Sequence, residues 1–541
     1  MTAATARVTL RRAALPGVPE SLAVLAFAGW AALTIALWQG LLAVPRAGQL
    51  YQLLLYGVPL GTVAVLVFGR TAPPRWLTLF AAAVGLTAGG IVGSGYAIRG
   101  PLFVAGIVCV LGSALASRRW PSGFLILMFG LSGTYGSVTA FTAISPGQVV
   151  DLLLAGLWLG ALFALVVRRR DYRHVLTPGV VLAAIFLAAS LIAVLFAPNQ
   201  YVGMRSFRAT GWHMLTFLVI AYGGWTRVNL QRVARVVVVV CALVGGYAVL
   251  RWLIGPAARE QELVETAGNV TYNQVAGDRK VQGSLPSGHQ LGTWCAVAIP
   301  FCVAAAVTWR NWARGAAMVA VPLLAIGLLA SANRAGLAGA VGGTVVVLVL
   351  NQLARSFEGP RLGIALAAVL SLGLAAFLIF PVVIDDPSKV ERYRNILTPT
   401  RDKSFQERLF KWENALADID DHPFGRGMGS AGADSNSLRF RGLASDNVDN
   451  AYMQIAYEQG FAMMVLFFVT MLVLLAGLAR RAVWHRQAEP AAIAIGASGA
   501  LAAFLVTLFV GQYLHALLAV GLWVIVGLGL APFTTIGRDE K

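Results

Sequence analysis

Residues 445–460 read SDNVDNAYMQIAYEQG and set Asp, Asn, Tyr, Gln and Glu side chains at the head of a membrane-length apolar run. With helical spacing, Asn450 and Gln454 lie four apart and Tyr457 lies seven beyond Asn450, so amide and phenol groups share one face. That face, with Tyr452 in its first turn, suits hydrogen bonding to a hydroxyl-rich partner. A carboxylate beside that face, such as Asp449, could deprotonate or orient a hydroxyl. At an ordinary pKa near ~3.9 it is a poor base, so burial must raise that value or its role is orientation. As an alternative, Asp449 merely caps the helix. Arg334 separates two apolar segments in a tight hairpin, where a charge is costly and points to a site. A snorkelling interfacial anchor is the plainer reading. Of the six histidines, His174 and His485 fall among basic loops and drop out. His289 opens an apolar segment and leads the remainder, although a histidine at a helix start is commonly structural.

The elements that carry these residues follow from composition. Of 541 residues 58% are hydrophobic and 12% charged, with mean hydropathy +0.73, whereas soluble domains carry about 25% charged residues. The chain reads as an all-α polytopic membrane protein of about fourteen to sixteen spans, each of roughly 17–25 apolar residues. Candidate spans fall near 21–45, 51–69, 76–98, 101–117, 121–143, 148–167, 177–197, 209–226, 236–255, 289–309, 315–332, 335–353, 362–384, 450–478, 491–511 and 514–533. No cleavable signal is evident, and the first span is expected to direct insertion.

Short loops alternate in charge. Arginine-rich ones near 7–12, 168–173, 227–235 and 480–486 face loops holding single arginines such as Arg46 and Arg99. The positive-inside rule then puts both termini, 1–20 and 534–541, in the cytoplasm, with 21–255, 289–384 and 450–533 spanning. The +18 net charge is a topology signal, and its dispersal argues against a nucleic-acid partner. Cys109, Cys241, Cys295 and Cys302 lie in apolar runs without metal spacing and read as buried apolar residues.

Two long polar loops, 256–288 and 385–449, fall on the outer face. In the second, Ser404 and Glu407 form a capping-box pattern. Phe405, Leu409, Trp412, Leu416 and Ile419 then repeat on one helical face, up to His422-Pro423. An amphipathic helix at the membrane interface is the expectation. PFGRGMGSAG follows as a glycine-rich turn.

Four segments in this order resemble the O-antigen ligase and Wzy-type polymerase superfamily. They are GSLPSGHQLGTWCAVAIP, SANRAGLAGA, the run Arg408-x-x-x-Trp412-x-x-Ala415 with HPFGRGMGS, and DNAYMQIAYEQG, together covering roughly 278–460. The chain departs where that family has histidine before Asn-x-Tyr (Asp449 here) and asparagine after proline (His289 here), which favours a polymerase-like or divergent member. Asn450, Tyr452, Glu458 and Gly460 keep the register.

The resemblance implies a GT-C-like membrane fold with a long extracytoplasmic loop. It further implies inverting, metal-free glycosyl transfer without a cofactor, in the bacterial cytoplasmic membrane. The donor would be a polyprenyl-diphosphate-linked glycan and the acceptor a glycan or lipid-linked unit. Membrane lipids and polysaccharide-export or chain-length proteins would be partners. A diphosphate leaving group needs fixed cations, and arginine binds its oxygens in a fork. Arg334 leads these candidates. Arg279 or Lys280 occupies the region where the family has a basic residue. Arg205 and Arg208 could complete a clamp or anchor to headgroups, and Arg408 could bind or brace Trp412. Asp449 and His289 are the catalytic candidates, with Asn450, Tyr452, Gln454 and Tyr457 toward the glycan.

Three rival readings fit the sequence less well. A lipid-linked glycan transporter or flippase needs midplane ionisable or broken-helix sites, often in related halves. Asp151 lies near a span edge and Glu458 near the head of another, the other spans lack carboxylates, and no internal repeat is visible. Metal-dependent membrane glycosyltransferases would put paired acids in the first outer loop, which here is PRAGQLY. The elongation and division peptidoglycan polymerases fit the motif order poorly.

Overall fold

Long apolar runs must close their backbone hydrogen bonds internally, and helices do so within one segment. A computed structural model describes residues 121–142, 146–168, 177–222, 227–266, 274–275, 278–354, 403–431, 448–484, 488–511, 514 and 517–531. The expected spans before residue 118 and at 362–384 lie outside the described residues.

The described chain is helical throughout, apart from one pair of two-residue strands. In order come α1 (Pro121–Thr142), α2 (Pro146–Arg168), α3 (Pro178–Leu195), α4 (Gln200–Phe207), a π-helical turn (Arg208–Trp212) and α5 (Leu215–Tyr222). Then follow α6 (Arg227–Ile254), α7 (Ala258–Thr266), the antiparallel strands β1 (Gln274–Val275) and β2 (Asp278–Arg279), and α8 (Gly288–Thr308). The rest are α9 (Trp312–Ala330), α10 (Arg334–Ala354), α11 (Lys403–Asp421), α12 (Ala451–Gln459), α13 (Phe461–Trp484), α14 (Ala488–Leu508) and α15 (Leu518–Leu530). Eight of the described helices are long and apolar enough to cross a membrane.

At the centre stand α8 and α14, both almost wholly buried. Small residues make this possible. A Cβ on Gly343 would overlap the Gly499 carbonyl oxygen, and one on Gly499 would sit 2.8 Å from Pro300. So α8, α10 and α14 meet backbone to backbone, as small residues allow where lipid supplies no hydrophobic drive. Around them Phe129 packs on Trp294, Phe217 on Trp523, and Phe186 on Phe467.

The two ends of this bundle can be told apart. Gly339, near the start of α10, abuts Ala503 and Thr507 late in α14, and Tyr452 donates to the Leu505 carbonyl. Ser190 of α3 donates to Gln459, and the Ser137 amide of α1 donates to Ser284. All four motif segments therefore lie at one end. At the other, Arg235 of α6 and Asn311 both donate to Glu489 of α14.

Two expected spans are not single helices. The stretch expected at 209–226 is preceded by α4 and divided between the π-helical turn and α5. The one at 450–478 breaks at Gly460, whose φ is +94°. A Cβ there would lie 2.6 Å from the Pro423 carbonyl, so docking of the 422–431 turn fixes the break. The predicted separation of 315–332 from 335–353 is present, with Ala332 at φ +52° in the turn.

Candidate active site

The S-x-x-R-x-G stretch builds the α9–α10 turn. Asn333 Oδ1 accepts from the Gly336 amide and so caps α10, while Asn333 Nδ2 donates to the His289 carbonyl (2.7 Å) and reaches Thr293 Oγ1 (3.2 Å). The approach requires glycine, since a Cβ on Gly292 would overlap Asn333 and one on Gly336 would sit 2.7 Å from the Gly292 carbonyl. Arg334 is thereby the first residue of α10, half-buried, against the start of α8. A cation at a helix N-terminus opposes the helix dipole, whereas an anion there is favoured by the same amides.

Beside this turn Lys280 is buried, with Nζ 3.0 Å from His289 Nε2. A lysine ammonium can only donate, so in that form it engages the Nε2 lone pair. Tyr135 of α1 donates to Gln290 (2.5 Å), which joins α1 to the start of α8.

The long-loop motifs assemble against α12. Helix α11 begins one residue before the proposed capping box and ends at Asp421, just before His422-Pro423. Its buried stripe is Ala415 and Ile419, with Trp412 beside them, on Met453, Ala456 and Tyr457. Trp412 Nε1 donates to the Val448 carbonyl (2.9 Å). The apolar stripe thus divides: Leu409 and Leu416 stay exposed, while the Trp412 side seats on protein. In the turn that follows, Gly425, Gly427 and Gly429 all have positive φ. A side chain on Gly427 would overlap the Phe196 carbonyl, and one on Gly425 would sit 2.6 Å from the Gln459 amide. Alternating glycines let the turn lie between α12 and the α3–α4 connection.

Asp449 precedes α12 at φ +48°, a conformation uncommon for a residue with a Cβ. Its carboxylate lies 3.3 Å from Lys411 Nζ, both side chains being about one-third exposed at 31% and 36%. The capping alternative for Asp449 is corrected. Asn450 is the N-cap, its Oδ1 accepting from the Tyr452 (2.9 Å) and Met453 (3.1 Å) amides.

Below the cap, Glu458 is buried. It accepts from Ser206 Oγ of α4 (3.0 Å), Gln454 Nε2 (3.0 Å) and the Ala431 amide (3.3 Å). Across α4, Arg208 Nε donates to the buried Asp151 carboxylate (2.7 Å), and His213 Nε2 lies 4.0 Å from its other oxygen.

The structure therefore brings Lys280, His289 and the Arg334 turn together, and separately gathers Asp449, α11 and α12. Arg279 lies in β2, one residue before Lys280. Arg205 is exposed on α4, and Arg408 is half-exposed on α11. The expected sugar face is largely used by the fold itself: Asn450 caps, Tyr452 binds Leu505, Gln454 binds Glu458, and Tyr457 is buried under Arg426, whose guanidinium sits 5.6 Å over its ring. Glu458 and Lys411 are partners that residue types alone did not single out. A lone acid within an apolar run was the available signal for Glu458. Lys411 carried none, because only folding sets it beside Asp449. Among the described residues no three His, Cys, Asp or Glu side chains gather as a metal site.

A family model described as O-antigen ligase matches residues 317–468. The match takes in Arg334, α11, the glycine turn and the segment from Asp449 to Glu458, and it excludes Lys280 and His289. No curated protein matches the chain.

Proposed function

We propose that this chain transfers a glycan from a polyprenyl diphosphate at the extracytoplasmic face of the bacterial cytoplasmic membrane, a reading supported by the match of residues 317–468 to a family model described as O-antigen ligase. The supporting observation is convergence. Segments more than a hundred residues apart in sequence end on the same face of the bundle, one bringing Arg334 and the other Asp449.

In this reading Arg334 and the first amides of α10 bind the diphosphate, where negative charge grows as the glycosidic bond breaks. Such preorganised donors contribute on the order of 3 kcal/mol each to transition-state stabilisation. Asp449 orients or deprotonates the acceptor hydroxyl. Lys411 Nζ, 3.3 Å away, helps hold that carboxylate in place. The reaction needs no metal. The chain polymerises lipid-linked repeat units; transfer to a lipid core is the second reading, favoured by the matched family's description.

The test supplies purified full-length protein in detergent with a polyprenyl-diphosphate-linked repeat unit and EDTA, with no ion gradient. Longer lipid-linked products are expected. Movement of the unit across a vesicle membrane with no new glycosidic bond would instead establish a transporter. Restoration of a lost activity by a divalent ion would overturn the metal-free mechanism. A deletion strain separates the two transfers: one-unit caps without long chains mark a polymerase, and accumulated lipid-linked polymer marks a ligase.

A further inference from the structure

Residues 205–208 cross the same end of the bundle, where α4 passes into the π-helical turn. Two acids grip this short piece. Ser206 Oγ donates to Glu458 Oε2 (3.0 Å), from α12, and Arg208 Nε donates to Asp151 Oδ2 (2.7 Å), from α2. Between them Phe207 is fully buried. Both acids are deep, Glu458 at 1% and Asp151 at 4% exposure, where carboxylates are rare unless paired. Arg205 is exposed and the Arg208 side chain is 26% exposed. The guanidinium is thus oriented by its Nε bond to a buried carboxylate while the Arg208 side chain stays partly exposed. Local π-helix is uncommon and frequent at functional sites.

An arginine that merely touches lipid headgroups works from a flexible stem. It does not need its own guanidinium and a neighbouring side chain held by buried acids from separate helices. We propose that Asp151 and Glu458 are positioning residues that hold 205–208 as a diphosphate-binding strap, presenting Arg205 and Arg208 to the donor. The proposal rests on the glycosyl-transfer reading above and adds what fixes the cations at this second place. Glu458 acts through Ser206, while Gln454 and the Ala431 amide share its charge. Asp151 acts on Arg208 directly.

The test measures donor KM, kcat and inhibition by inorganic pyrophosphate for the full-length protein. It uses nanodiscs with and without phosphatidylglycerol. Loss of one hydrogen bond in Ser206→Ala should raise donor KM and pyrophosphate Ki roughly 2–10-fold, with kcat nearly kept. Ser206→Thr, which retains a hydroxyl, should restore both. Asp151→Asn loses a charge-assisted contact and should raise both constants about 10–100-fold. Glu458→Gln should fall between these. If either acid variant fails to fold, the Ser206 pair decides. Unchanged KM and Ki in folded Ser206→Ala and Asp151→Asn protein overturn the proposal. So does a change only in phosphatidylglycerol dependence, which would assign the arginines to lipid headgroups. A wild-type protein that shows neither transfer nor pyrophosphate inhibition overturns the glycosyl-transfer reading itself, a result distinct from active protein with insensitive variants.

Discussion

The two ends of the bundle use polar residues differently, although the same helices supply both. At one end Glu489 takes both oxygens to Arg235 (2.9 and 3.1 Å) and one to Asn311 (3.3 Å), with side chains 22% and 31% exposed for the ion pair. That is a partly wet tie between α6, α9 and α14. At the other end Glu458, Asp151, Asn333 and Asn450 are buried, and each joins groups from different elements or satisfies a helix start. Buried polar groups cost free energy unless fully hydrogen-bonded, and they specify geometry when they are. One end holds helices together; the other holds backbone turns in set positions around charged side chains.

The comparison breaks most sharply at Asp449. Because Asn450 and not Asp449 caps α12, Asp449→Asn should fold normally while turnover falls on the order of 10²–10⁴-fold. Assays of kcat alongside thermal unfolding check this, and a fully active variant would sink the assignment. At Arg334, both Arg334→Ala and Arg334→Lys should lose about 10²–10³-fold in transfer, because an ammonium cannot reproduce a fork. Near-normal rates for the lysine variant would show that only a point charge is needed.

The glycine turn tests whether geometry at this end is as demanding as the contacts imply. Gly427→Ala must overlap the Phe196 carbonyl at a positive φ, so a stability loss of about 1–3 kcal/mol is expected. Unchanged unfolding would mean that the turn yields easily. Asn450→Ala should remove about 0.5–2 kcal/mol through lost capping, read by unfolding of α12 against the rest in hydrogen exchange. The smallest effect belongs to the opposite end. Glu489→Gln should cost roughly 0–1 kcal/mol and leave transfer kinetics unchanged. A fall in kcat there would erase the distinction between the two ends.

Helix class, most of the span positions that fall among the described residues, and α11 were legible in the chain itself, because period and apolar length are local properties. Ser404, Glu407, Trp412 and the His422-Pro423 stop bounded α11 closely. The four motif segments also meet at one end of the bundle. What sequence could not show depends on neighbours in space. A continuous apolar run at 450–478 reads as one helix, and only docking of Pro423 against Gly460 divides it. The amide and phenol groups after Asp449 share a helix face on paper, yet Asn450, Tyr452 and Gln454 are taken up by the α12 cap, the Leu505 carbonyl and Glu458. Lys411 meets Asp449 across 38 residues, and Ser206 meets Glu458 across 252. A local pattern states which side chains a stretch offers, whereas tertiary packing decides which of them the fold consumes and which remain for a substrate.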